Sequence, residues 1–253
     1  MIDHLSASQI QNYLDCGLKY KFSYIVKLPK PFKPSGMALG SAIHSAVDWI
    51  HKKQNGKKKI TLEAVWDIFE ADWYAIQMDT IAYREGESED DVLNTGRNLL
   101  GVYFNDAPKN GILQSEQKFQ VPLVNLETGE TLALPLVGVF DKIEEDDVVA
   151  DLKTWARMVN EEELDANIQL SAYAYAYRIM FKKTPELRLD ILLKTKKPRF
   201  EQLFTSRNES GHIKFYNLCK EVYQSIQKNI FLPNPSWKCA GCEYRQVCWL
   251  WQK

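Results

Sequence analysis

Two sets of residues in this chain have types and spacings that can do chemistry. The first is thiol: Cys16 near the start, and Cys239, Cys242 and Cys248 within the last fifteen residues. Four thiolates make a complete ligand set for one metal centre, and this set would tie the two ends of the chain together. The spacing, one remote cysteine plus Cys-x2-Cys-x5-Cys, differs from the paired knuckles of structural zinc, and leaves zinc and an iron–sulfur cluster both open. The second set is His44, Asp141, Asp151 and Lys153, followed by Gln169 and Tyr173.

Asp151 and Lys153 are two apart in an apolar run that reads as a strand, so their side chains share a face. Asp141 ends the preceding strand-like run, Gly138-Val139-Phe140-Asp141. If the two strands are neighbours, two carboxylates and one ammonium meet. Carboxylates held close repel, and a divalent cation relieves that; hard oxygen ligands suit Mg²⁺ or Mn²⁺. A lysine there can orient a water or steady charge on a phosphate oxygen, which is the chemistry of metal-assisted phosphodiester hydrolysis. His44 lies among small residues in Gly40-Ser41-Ala42-Ile43-His44. Gln169 and Tyr173 are four apart on one helix face. Glu116, in an earlier strand, is a further oxygen donor. Each also has a plain reading: His44 as a hydrogen-bonded core histidine, Tyr173 as a core aromatic, Glu116 as a solvated side chain.

The elements that must position these residues follow from patterning. Ser6 and Gln9 read as a capping box opening a helix to Cys16. Residues 30–36, with Pro31 and Pro34, read as a loop. Helices are expected over 37–54, from Thr61 to about Ala82, and over 90–105. Strands are expected over 112–122, 131–142 and 147–154, with a turn at Glu127-Thr128-Gly129-Glu130. One long helix is expected over 161–182, then strands over 187–194 and 200–205, a helix over 209–229 and a cysteine-bearing tail. This is an α+β plan. We expect one domain over 1–253: a mainly helical part (1–110) carrying Cys16 and His44, a catalytic sheet and long helix (111–206), and a helix with a cysteine cap (207–253).

The chain has 253 residues, 45% of them hydrophobic and 26% charged, the profile of a soluble globular protein. No apolar run is long enough to span a membrane and no signal peptide is read at the start, so a cytoplasmic location without membrane contact is the expectation. Five cysteines in a reducing compartment favour metal ligation or burial over disulfides, and Cys219 reads as a buried small hydrophobe. The net charge of −1 does not argue for a polyanion partner. Two basic runs, Lys52, Lys53, Lys57, Lys58 and Lys59, and Lys194, Lys196, Lys197 and Arg199, are solvated surface or phosphate contacts at a groove. Glu85, Glu87, Glu89, Asp90 and Asp91 form an acidic run.

The ordered set GSAIH, GVFD, DLK and QLSAY resembles the RecB-like nucleases of the PD-(D/E)XK superfamily. The cysteine pattern resembles their iron–sulfur branch, the nuclease domain of the AddB helicase–nuclease subunit and the CRISPR-associated RecB-like exonucleases. The resemblance runs from Cys16 to Cys248. It implies a restriction-endonuclease-like core, a central mixed sheet flanked by helices. It implies Mg²⁺ or Mn²⁺ held by His44, Asp141 and Asp151, with Glu116 and the main chain of Leu152 as further candidates. It implies Asp141, Asp151 and Lys153 as catalytic residues, Gln169 and Tyr173 lining the DNA site, and a [4Fe–4S] cluster on Cys16, Cys239, Cys242 and Cys248. The implied activity is a DNA exonuclease acting on single strands from a free end, in DNA repair, recombination or CRISPR adaptation, with protein partners in such a complex. Phe140 before Asp141 departs slightly from the family's usual isoleucine or valine. Two other readings stand beside this one. One is a non-catalytic or conditionally active subunit that holds DNA ends; the other is a zinc-stabilised DNA-binding module.

Overall fold

The computed structural model describes residues 2–55, 59–76, 80–108 and 111–251, with Asn55, Leu250 and Trp251 described in their backbone alone. Lys57 and Lys58 of the first basic run lie outside the described residues.

The chain opens with α1 (Ala7–Asp15), a short turn of helix α2 (Gly17–Tyr20) and a wider π-helical turn over Lys21–Ile25. Ser6 caps α1 by accepting from the Gln9 amide at 3.2 Å. The reciprocal half of the expected capping box is not made, because the Gln9 carboxamide accepts from the Tyr20 hydroxyl instead. Next come β1 (Lys33–Pro34), α3 (Ser35–Asn55), α4 (Leu62–Ile76), β2 (Ile81–Ala82) and α5 (Glu89–Asp106). β1 and β2 pair in parallel. This corrects two expectations: the proline loop ends in a strand, and the helix from Thr61 stops short of Ala82 because residues 81 and 82 are drawn into that pairing.

The second half supplies β3 (Ile112–Val124), β4 (Thr131–Glu144), β5 (Val148–Trp155), α6 (Glu161–Asp165), α7 (Ile168–Phe181), β6 (Glu186–Leu193), β7 (Arg199–Thr205), α8 (Glu209–Gln227) and α9 (Arg245–Trp251). The expected single helix over 161–182 is two helices. Asn160 and Asn167 each turn a side chain onto a backbone amide three residues on, so each starts a helix of its own. A five-stranded sheet runs β3-β4-β5-β6-β7, with β5 and β6 parallel and the other neighbours antiparallel. Helices cover both faces. α1, α7 and α8 pack on one face around Phe119, Leu136, Phe140, Val149, Leu189 and Tyr175. α3, α4 and α5 pack on the other with Leu152 and Leu192. This is the mixed α+β core that the patterning predicts. Among the described residues no helix is long and apolar enough to cross a membrane.

A buried ion network underlies the second face. The Lys142 ammonium lies 2.9 Å from Asp190 and 2.8 Å from Glu144, and Arg188 grips Glu144 through two bonds of 2.7 Å. Arg188 and Gln202 also donate to Asp190. The network spans β4 to β6, over the central strand at Ala150, which pairs with Lys142 on one side and Arg188 on the other. Only a small side chain at 150 leaves that bridge room. Beside it His51 and Tyr103 share a hydrogen bond of 2.7 Å. Removing one partner of the Lys142–Asp190 or Arg188–Glu144 pair costs about 3–5 kcal/mol, because it strands a buried charge.

His51 is held neutral. Burial, with the Lys142 charge second, pushes its pKa down to about 4. Unfolded, it titrates near ~6.5. Between those values the unfolded chain takes a proton that the folded chain refuses, so His51 makes stability fall as pH drops through that window. The loss amounts to about 3 kcal/mol. His51→Gln should therefore flatten the decline in thermal midpoint between pH 6.5 and pH 4, measured against the wild type by calorimetry.

Candidate functional site

The site lies where two neighbouring strands part. β4 and β5 pair at Lys142–Ala150, Ile143–Val149 and Glu144–Val148, and the ladder stops there. The next residues outward are Asp141 and Asp151. In place of a strand neighbour, the Leu152 amide donates to Asp141 Oδ2 at 3.0 Å. The Leu152 carbonyl accepts from His44 Nε2 at 2.8 Å. Two site side chains thus satisfy the backbone groups that the parting strands would leave unpaired.

Strand alternation slips at the same place. Phe140 and Ile143 both enter the first core, so two residues instead of one separate them, and Lys142 points to the opposite face. Across from Asp141, Glu116 adopts a left-handed backbone with φ 52°. An irregularity of this kind re-aims side chains and is common beside active sites. Here it lets Asp141 serve both faces. One Asp141 oxygen accepts from the Tyr173 hydroxyl of α7 at 3.0 Å, and the other lies 3.5 Å from His44 Nδ1 on α3.

The His44 ring has a defined polarity. Its Nε2 meets a carbonyl, so Nε2 carries the hydrogen, and in the neutral ring Nδ1 is a bare lone pair facing a carboxylate. Burial lowers the His44 pKa and outweighs the pull of Asp141. The His44 Nδ1 lone pair and the Asp141 carboxylate are two donors that one cation would join. His44, Glu116 and Asp141 place one ligand atom each within 4.8 Å of one another. Burial, with the charges of Asp141 and Asp48, raises the Glu116 pKa, the mark of carboxylates crowded together.

Asp151 and Lys153 face the other side, towards α7. Asp151 is 1% exposed. Lys153 Nζ pairs with its Oδ2 at 2.6 Å. Burial, reinforced by Asp141 and opposed by Lys153, raises the Asp151 pKa. Burial also works against the Lys153 charge, yet Asp151 and Asp141 outweigh it and its pKa is raised. Lys153 is a cation beside two carboxylates, and with Glu116 there are three. That imbalance, together with the oxygen and imidazole donors, fits a hard divalent cation such as Mg²⁺ or Mn²⁺. Asp151 stands outside the group of three ligand atoms, turned onto Lys153, while Glu116, the weakest sequence candidate, stands within it.

Gln169 and Tyr173 both line a cavity of about 280 Å³ that also holds Asp141, Asp151 and Lys153. Tyr173 is 1% exposed and reaches the site through its hydroxyl. Gly138 of the same wall is required by packing, since a Cβ there would meet the Phe119 ring at 2.4 Å. Gly40 is not: its Cβ would stand 3.6 Å from Thr154 Oγ1, an ordinary contact. Lys52 pairs with Asp48 beside Glu116, Lys53 lies over Trp49, Lys194 is half-buried, and Lys196 and Lys197 are exposed.

Sequence reasoning missed Asp48, one turn after His44, which accepts from Ser115 at 2.8 Å and lines a small cavity with His44, Glu116 and Asp141. The four-residue spacing was the available signal. It also missed the Lys142–Asp190 network, whose signal was charges two apart, Lys142 and Glu144, Arg188 and Asp190, in apolar strands.

The four cysteines of the candidate cluster converge at the opposite end of α1. Cys16, Cys239, Cys242 and Cys248 line a cavity of about 270 Å³ with Leu18, Phe22 and Tyr244. The Asn234 and Ser236 amides point at Cys16 and Cys239 sulfurs at 3.5 and 3.4 Å. Among the described residues, no three of these thiols come within 4.8 Å of one another. Cys219 is buried in α8, as expected.

A family model described as the PD-(D/E)XK nuclease superfamily matches residues 4–249. A crystal structure of a candidate exonuclease from Eubacterium rectale shares the fold with a TM-score of 0.63, at 12% identity, covering 96% of this chain and 88% of that one. The crystal structure of SSO0001 aligns over 92% of this chain and 93% of that one at 13% identity, and its TM-score of 0.36 carries no argument. No curated protein matches the chain.

Glu116 accepts no hydrogen bond among the described residues, so its role is separable. Glu116→Gln should leave the metal-free thermal midpoint nearly unchanged and sharply reduce the rise that Mn²⁺ gives the wild type. At a hundredfold excess over the dissociation constant that rise corresponds to about 2.7 kcal/mol, and thermal-shift titration measures it.

Proposed function

Because this chain belongs to the PD-(D/E)XK nuclease superfamily, we propose that it is a metal-dependent deoxyribonuclease that digests single-stranded DNA from a free end with Mn²⁺ or Mg²⁺. The observation that carries this reading is the junction at Asp141, where His44 and Glu116 approach from one face of the sheet and Asp151 and Lys153 from the other. His44, Glu116 and Asp141, with Asp151 and the Leu152 carbonyl beside them, would hold the cation. When bound, it would polarise a phosphodiester oxygen and lower the pKa of an attacking water.

The chain's own residues do the rest. The Tyr173 hydroxyl and the Leu152 amide hold Asp141 in place. The Leu152 carbonyl holds the His44 ring with its bare nitrogen inward. Lys153, kept charged by its carboxylate neighbours, steadies negative charge on the phosphate and orients the water. Gln169 touches the strand at the cavity wall, and Tyr173 acts on it through Asp141.

The second cofactor we propose is a [4Fe–4S] cluster on Cys16, Cys239, Cys242 and Cys248. A zinc ion with sulfurs at ~2.3 Å would draw the thiols to within about 3.8 Å of one another, and one ion would leave most of a cavity this size empty. Thiols spread wider around about 270 Å³ favour a larger group, and amide N–H groups aimed at sulfur suit thiolate ligands. The cluster's role is structural: it closes a loop of more than 200 residues, worth several kcal/mol on the order of a long disulfide loop.

The test is cleavage of end-labelled single-stranded DNA by anaerobically purified protein. Label should be released with Mn²⁺, retained with EDTA, and retained by a folded Asp151→Ala variant. Intact DNA in every lane would favour a subunit that needs a partner. Iron and acid-labile sulfide should be present in equal amounts and lost in Cys248→Ala; zinc without iron would overturn the cluster.

A further inference from the structure

Two consecutive side chains of β3 reach for the same helix. The Glu116 carboxylate comes within 4.8 Å of ligand atoms on His44 and Asp141, and the Ser115 hydroxyl donates to Asp48 Oδ1 at 2.8 Å. His44 and Asp48 are one turn apart on α3. A regular strand sends neighbouring side chains to opposite faces, so this arrangement needs a break in the pleat.

The ladder locates the break. Gln117 lies across from Phe140, which enters the first core, and Ser115 lies across from Lys142, which points to the second face. Residues two apart in a strand normally share a face. Glu116 is therefore one residue too many on β3, as Asp141 is on β4, and the two extra residues stand opposite each other. Glu116 makes the turn with its left-handed φ of 52°. That conformation carries a cost in any residue but glycine, and it persists where the surroundings impose it.

Asp48 is the side chain placed to impose it. Its helix is fixed in the second core through Val47 and Ile50. Oδ1 takes the Ser115 hydroxyl, and the other oxygen pairs with Lys52, one turn on. Both oxygens are thus engaged, which suits an anchor better than a cation ligand. Without the Asp48–Ser115 bond, β3 is free to return to a regular pleat, with Ser115 turned to the first face and Glu116 aimed elsewhere.

We propose that Asp48 is a positioning residue for the cation site, holding Ser115 so that the break in β3 delivers the Glu116 carboxylate to His44 and Asp141. This inference rests on the metal-dependent nuclease reading and deepens it.

The test is Mn²⁺ affinity without DNA, titrated through the electron paramagnetic resonance signal of free Mn²⁺. Ser115→Ala changes no charge and touches no ligand, yet it should weaken Mn²⁺ about ten-fold, the order of one hydrogen bond to a carboxylate. Ser115→Thr keeps the hydroxyl and should bind like the wild type. Asp48→Ala should weaken Mn²⁺ at least as much as Ser115→Ala, and adding Ser115→Ala to it should cost nothing more, since the two remove one bond. In the Glu116→Gln background Ser115→Ala should also have no further effect. Wild-type affinity in Ser115→Ala, or a loss that persists undiminished in the Glu116→Gln background, would overturn the positioning role and leave the cation site intact. A wild type that binds no Mn²⁺ would overturn both.

Discussion

The parting of β4 from β5 after Lys142 and Ala150 is the constraint on which the rest of the molecule depends. A sheet interior does not tolerate unpaired backbone groups, so a gap there must be filled. Asp141 and His44 fill it by bonding the amide and carbonyl of Leu152. Those two bonds commit the carboxylate and the ring to one spot, with the His44 Nδ1 and a carboxylate oxygen facing each other. Glu116, turned in by a left-handed backbone, deepens the negative field. The architecture thereby gathers one imidazole nitrogen and two carboxylates at one junction, the donor set that the proposed cation would use.

The surroundings keep the gap open and in register. On one face the Lys142–Glu144–Arg188–Asp190 network binds β4 to β6 across Ala150, one residue before Asp151. On the other, Leu5 holds the far part of the β4 edge and leaves only a short open stretch. α1 then runs from that stretch to Cys16, its C-terminal cap, where the thiols gather. Nine residues of helix span about 14 Å. A group bound by the four thiols would brace the helix whose opposite end walls the cavity of Asp151 and Lys153. The remote position of Cys16 in the sequence makes sense on this basis.

Much of this was legible in the sequence, and the reasons are specific. Asp151 and Lys153 share a face because strand alternation is strict, and Gln169 and Tyr173 do so because helix spacing is. The cysteines announced themselves by type. What escaped depended on backbone irregularity or on long-range partners. Glu116 enters the site through a positive φ that no pattern in Ser115-Glu116-Gln117 reveals. The break between α6 and α7 turns on Asn167 choosing a cap over a helical interior, a choice decided by packing. Residues 81 and 82 left their expected helix for a two-residue pairing with 33 and 34, too short to leave a periodic signal. The capping box at Ser6 was half right, because Gln9 finds Tyr20, a partner supplied by the fold of the following turn.

The most direct test of the account is the anomalous difference density of a crystal of this protein soaked in Mn²⁺. The account predicts a single strong peak at the strand junction, about 2.1 Å from His44 Nδ1 and from carboxylate oxygens of Asp141 and Glu116. A peak elsewhere, or a junction that stays free of metal while His44 Nδ1 bonds Asp141 directly through a proton, would contradict it.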